Sequence, residues 1–136
     1  MNSNGSVNTA SAPSQITLTS SNGLISSGQT NYTITIPCTG IVTFNWTYST
    51  ADSGPQYDVP KYAINGGAAI IFPTFKAQNG DPRQQTGSVS LAMTAGQTLT
   101  LQAFSADNLG GAASVIIQNF SAPYQTTAAQ TVKWYT

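Results

Sequence analysis

At 136 residues and 14.2 kDa the chain has the size of one domain with room for an apolar core. Four basic residues, Lys61, Lys76, Arg83 and Lys133, balance four acidic ones and are widely spaced, which excludes the positive stripe of a nucleic-acid binder; no apolar run approaches the ~20 residues of a membrane span. Histidine is absent, so Ser–His and Cys–His nucleophile pairs and most zinc sites are excluded as well.

Residues 1–13 hold little that could be buried and read as a polar N-terminal arm. From Gln15 the apolar residues recur every second position. Ile16 and Leu18 come first, then Tyr32, Ile34 and Ile36. Val42, Phe44, Trp46 and Tyr48 form the longest series, and Tyr62 with Ile64 follows. Next come the run 70–75, the set Val89, Leu91 and Met93, the set Leu99, Leu101 and Ala103, and the run 115–120. This period places one face of each strand on a core and the Thr-rich face outside. Asn65-Gly66-Gly67, Asn79-Gly80-Asp81-Pro82, Ala95-Gly96 and Leu109-Gly110-Gly111 supply turns between the runs. No helical period stands out. The spacing predicts an all-β protein: a two-layer antiparallel β-sandwich or jelly roll of about eight strands over residues 14–123. Residues 124–136 form a tail, a further strand or an interface.

Cys38 is the single cysteine, so no internal disulfide forms, and it is expected to serve as a small buried apolar group. The acids are Asp52, Asp58, Asp81 and Asp107. Two of them share the segment after the longest strand. If the strands alternate up and down, the loop carrying Asp107 lies at the same end. Three carboxylates brought together call for a cation, and hard oxygen ligands select Ca²⁺. The competing reading is that each Asp closes its own turn. Asp52 and Asp58 are also the one pair that could serve a two-carboxylate glycosidase, but nothing around them marks a sugar cleft, and catalysis is not expected. Trp46, Trp134, Tyr57 and Tyr124 are the aromatic candidates for a sugar platform, with Trp46 placed by its period in the core.

The strings Thr43-Phe44-Asn45-Trp46-Thr47-Tyr48-Ser49-Thr50, Gly54-Pro55-Gln56-Tyr57-Asp58 and Ile64-Asn65-Gly66, followed by Gln85-Thr86-Gly87-Ser88-Val89 and Phe104-Ser105-Ala106-Asp107, resemble bacterial extracellular domains of CUB-like type. The resemblance covers roughly residues 40–123. It implies a β-sandwich jelly roll in which a Tyr-Asp pair, here Tyr57-Asp58, and a Ser-x-Asp loop ending at Asp107 hold Ca²⁺, with Asp52 beside them. The paired cysteines of animal CUB domains are missing, and the chain has no Glu.

These features predict a non-catalytic protein that binds or assembles. Met1 without a secretory signal, a lone thiol, nearly uncharged Thr/Asn/Gln-rich surfaces and a polar arm point first to a phage virion component: a capsid decoration (cement), fibre or tail protein on the virion surface. Its termini would hold it to other protein subunits, as a homo-oligomer or part of a larger assembly. The alternative is a secreted, extracellular CUB-like module for adhesion or carbohydrate binding, with cell-surface glycan as partner. Neither reading involves nucleic acid or membrane.

Overall fold

The computed structural model describes residues 5–10, 15–20, 28–106 and 111–123. Among the described residues nine strands are formed: β1 (Ser6–Asn8), β2 (Gln15–Thr19), β3 (Gly28–Thr35), β4 (Gly40–Thr50), β5 (Asp58–Ile64), β6 (Ile70–Ile71), β7 (Gln84–Met93), β8 (Thr98–Ser105) and β9 (Ala113–Ser121). One 3-10 turn, Pro55–Tyr57, interrupts them. The strands build two antiparallel sheets, ordered β1-β2-β9-β4-β7 and β3-β8-β5-β6, so the two-layer sandwich expected from the two-residue period is the fold. Among the described residues no helix is long and apolar enough to cross a membrane.

The alternation is visible in β4, where Val42, Phe44, Trp46 and Tyr48 are buried while Asn45 is exposed. Ile16 and Leu18 of β2, Leu99 and Leu101 of β8, and Val115 and Ile117 of β9 complete the core between the sheets. Each large side chain buried there contributes about 1.5–3 kcal/mol.

Two segments depart from the sequence reading. Within the segment read as a polar arm, Ser6–Asn8 pair with β2, Ser6 opposite Thr19 and Asn8 opposite Thr17, and Val7 packs on the core. The run 70–75 is a strand only over Ile70–Ile71, both of them exposed. The chain then turns, with Phe75 N–H donating to Phe72 O and Thr74 at φ 67°. That turn drives Phe72 and Phe75 into the core, where Phe72 lies edge-on to Phe44 at 5.6 Å and Phe75 edge-on to Tyr48 at 4.7 Å. These two rings seal the β6–β7 side of the sandwich.

Trp46 sits under β7 at Gly87: a Cβ there would come within 2.5 Å of the indole. The Trp46 Nε1 donor is buried without a partner among the described residues. Cys38 carries a free thiol and is half-buried rather than fully inside.

Candidate functional site

Two regions hold the polar chemistry. The first lies at one end of the sandwich, where β4 ends, β5 begins and β8 ends. Asp58 stands opposite Ser105 in the β5–β8 ladder, and Ala106 N–H donates to Tyr57 O at 2.7 Å. On the other flank of residues 107–110, Ala51 N–H donates to Ala112 O at 3.0 Å. The expectation that strands 40–49 and 97–105 finish at one end is therefore met. Asp107 itself lies outside the described residues.

Asp58 is fully buried. Its Oδ1 accepts from Ser20 Oγ at 3.1 Å and its Oδ2 from Thr50 Oγ1 at 3.4 Å, while its backbone carbonyl accepts from Tyr48 Oη at 2.6 Å. Ser20 Oγ in turn accepts from Ala113 N–H at 2.7 Å. One carboxylate thus ties β4, β5, the end of β2 and the start of β9, joining both sheets. Burial is the main cause that pushes the Tyr48 hydroxyl above its ordinary value, with the Asp58 and Asp52 charges adding to it.

Asp52 is also buried, at 3% exposure. Its N–H donates to Thr50 Oγ1 at 3.0 Å, and its Oδ1 accepts from Ser53 N–H at 2.6 Å, a local turn of the kind a lone Asp makes. Its backbone carbonyl accepts from Arg83 at 3.3 Å. Its Oδ2 is buried with no hydrogen-bond partner among the described residues. Thr50 therefore brings Asp52 and Asp58 onto one hydroxyl. Among the described residues no group of three or more His, Cys, Asp or Glu side chains forms. The donor set suits a hard cation in one respect: a carboxyl oxygen, taken out of water, has no donor among the described residues. Sequence reasoning found both acids but missed Ser20, Thr50 and the Tyr48 hydroxyl, which carry no motif.

The second region is the outer face of the five-stranded sheet. Cross-strand pairing lines up Thr19, Ser114, Ser49 and Gln84 in one row and Thr17, Ile116, Thr47 and Thr86 in the next. Gln15, Gln118, Asn45 and Ser88 form a third row, and Ser121, Thr43 and Ser90 a fourth. No charged side chain stands in these rows. Between Thr43 and Asn45 the β4–β9 register shifts, and Asn119 takes φ 54°. This bulge turns Phe120 onto Phe44, their rings stacked at 6.0 Å. It also opens a shallow hollow of about 390 Å³ lined by Thr43, Asn45, Ser88, Ser90 and Asn119 above Phe44 and Val89. Among the described residues, the side-chain hydrogen bond found within these rows is that from Gln118 to Gln15, at 3.1 Å.

Of the aromatic candidates, Trp46 is core at 1% exposure and offers no platform. Tyr57 is half-buried at the 3-10 turn. Trp134 and Tyr124 lie outside the described residues.

Fold and surface define an all-β sandwich with a polar, uncharged sheet face. No protein-family model and no curated protein matches the chain. Solved structures do. The carbohydrate binding module CBM6cm-2 of Cellvibrio mixtus lichenase 5A, in complex with cellotriose, aligns at 15% identity and TM-score 0.41, covering 86% of each chain. A family 35 carbohydrate binding module from an environmental isolate aligns at 15% identity and TM-score 0.41, over 93% of this chain and 92% of that one. The N-terminal cellulose-binding domain of Cellulomonas fimi β-1,4-glucanase C aligns at 14% identity and TM-score 0.40, over 90% of both. These three are carbohydrate-binding or cellulose-binding modules, not the CUB-like domains that the sequence resemblance named.

Proposed function

We propose that the chain is a non-catalytic, extracellular binding module whose five-stranded outer face takes a neutral polyhydroxylated ligand, a glycan. The observation that carries this reading is the face itself: rows of mainly hydroxyl and amide groups, uncharged and, among the described residues, mostly without protein partners, around a hollow at the β9 bulge. Sugar hydroxyls donate and accept, as do Ser, Thr, Asn and Gln side chains, so the two surfaces can exchange water for each other at little cost. A charged ligand would find no counter-ion there. The virion reading depends on residues 1–13 and 124–136 reaching other subunits; of these, Ser6–Asn8 pair within their own chain. The glycan reading has the stronger support.

An array of neutral glycans and affinity electrophoresis in soluble polysaccharides test it. The expected result is binding that survives high salt and is lost in Asn45→Ala with Ser88→Ala. No binding to any neutral glycan, or binding indifferent to those substitutions, overturns it.

Calcium belongs to the same proposal at the other region. Asp52 Oδ2 and the Asp58 carboxylate would hold it, with Asp107 as the third ligand. Its charge would offset two buried carboxylates and fix the 52–58 segment. The unfolding midpoint should then rise with added CaCl₂, by about 2.7 kcal/mol of stability at a hundredfold excess over the dissociation constant. Asp52→Asn should remove the rise.

A further inference from the structure

We infer that β7 is a dimerisation edge, pairing antiparallel with β7 of a second copy of this chain. The inference is independent of the glycan reading. β7 is ten residues long and, among the described residues, ends its sheet, with β4 on one side and no strand on the other. Its sequence, Gln84 to Met93, has no Lys, Arg, Asp or Pro. Natural edge strands are commonly blunted by such residues, by shortness or by cover. The other three edges have one of these protections. β1 is three residues long and β6 two. β3 lies against β1 and β2, with Thr30 Oγ1 donating to Thr19 O at 2.9 Å. Along β7, loop 76–82 reaches only Gln85, whose amide bonds Lys76 and Pro82. Beyond Gln85 the far-side N–H and C=O groups of β7 have no partner among the described residues.

A second observation selects the occupant. β6 closes the other sheet on the same side of the sandwich, since Phe72 and Phe75, just after it, pack against Trp46 and Tyr48 beside β7. β6 carries Ile70 and Ile71, 51% and 43% exposed, two of the three exposed large hydrophobics among the described residues. A two-fold axis through the middle of β7 would set β6 against its own copy and cover these isoleucines. Charge permits it. Lys76, Asp81 and Arg83 flank only the start of β7, which antiparallel pairing places opposite uncharged Leu91 to Thr94 of the other copy. Such an interface is isologous and closed.

Sedimentation equilibrium of the full chain reads the outcome. The expected species is a dimer of the 14.2 kDa chain. Ala92→Lys on the β7 edge and Ile71→Lys on β6 should each weaken it at least tenfold, both being exposed positions whose circular dichroism should stay native. Hydrogen exchange should show protection at alternate β7 amides that increases with concentration. A wild-type chain monomeric at all concentrations overturns the inference, as does a dimer indifferent to both lysines.

Discussion

On the outer face of the four-stranded sheet the polar groups answer one another. Gln102 Nε2 donates to Asn31 Oδ1 at 3.0 Å and to Gln29 Oε1 at 3.3 Å, Thr33 and Thr100 hydroxyls bond at 3.0 Å, and Lys61 stands 4.2 Å over the Phe104 ring. On the outer face of the five-stranded sheet the same residue types stand in rows, yet few of them are joined. Thr, Asn and Gln line both faces; how far they are joined to one another differs. A face whose side chains complete each other is held for the fold, and one whose groups remain open to water is available to a ligand.

That contrast can be broken by experiment. The largest effect is expected from filling the hollow: Asn45→Lys should abolish glycan binding on affinity gels, while urea unfolding shifts by less than about 0.5 kcal/mol, the residue being exposed. Gln102→Ala on the opposite face should do the reverse. It removes a buried amide that serves two acceptors, costing about 1–3 kcal/mol in urea titration with glycan affinity unchanged. Loss of binding in Gln102→Ala would erase the distinction between the faces.

Beneath both faces, Tyr48→Phe removes the hydroxyl that supports the Asp58 carbonyl and should cost about 1 kcal/mol. The sign of its pH dependence follows from burial. The native hydroxyl holds its proton beyond the ordinary value near 10, whereas the unfolded one ionises there. Stability is full below that value and falls as pH rises above it, and the fall should be shallower in Tyr48→Phe. The smallest effect is expected at the exposed Thr33–Thr100 pair, where Thr33→Val should change unfolding by a few tenths of a kcal/mol.

The period of two made most of the sandwich legible, because burial of one face writes itself into alternate residues. Asn65-Gly66, Asn79-Gly80 and Ala95-Gly96 were legible as turns for a backbone reason: Asn65, Gly66, Gly80 and Gly96 all take positive φ. β1 was not legible, since a three-residue edge strand is held by ladder bonds and needs little apolar content. The 70–75 run misled because an apolar stretch reads alike whether it continues as a strand or turns inward after two residues. At the polar end, Asp52 and Asp58 could be picked out because acids are rare here. Ser20 and Thr50 could not, since they are two hydroxyl residues among 15 serines and 19 threonines. The open sheet face was invisible for the same reason, as side-chain pairing across strands depends on register.

The close approach of Gly87 to Trp46 constrains how this domain can diversify. With the indole occupying the volume next to β7, no methyl group can be added at 87 unless the ring shrinks or moves. Positions 87 and 46 should therefore drift as a pair across descendants, a bulkier residue at one arriving with a smaller ring at the other. In a selection for folded variants, Gly87→Ala should be recovered mainly together with Trp46→Phe or Trp46→Leu.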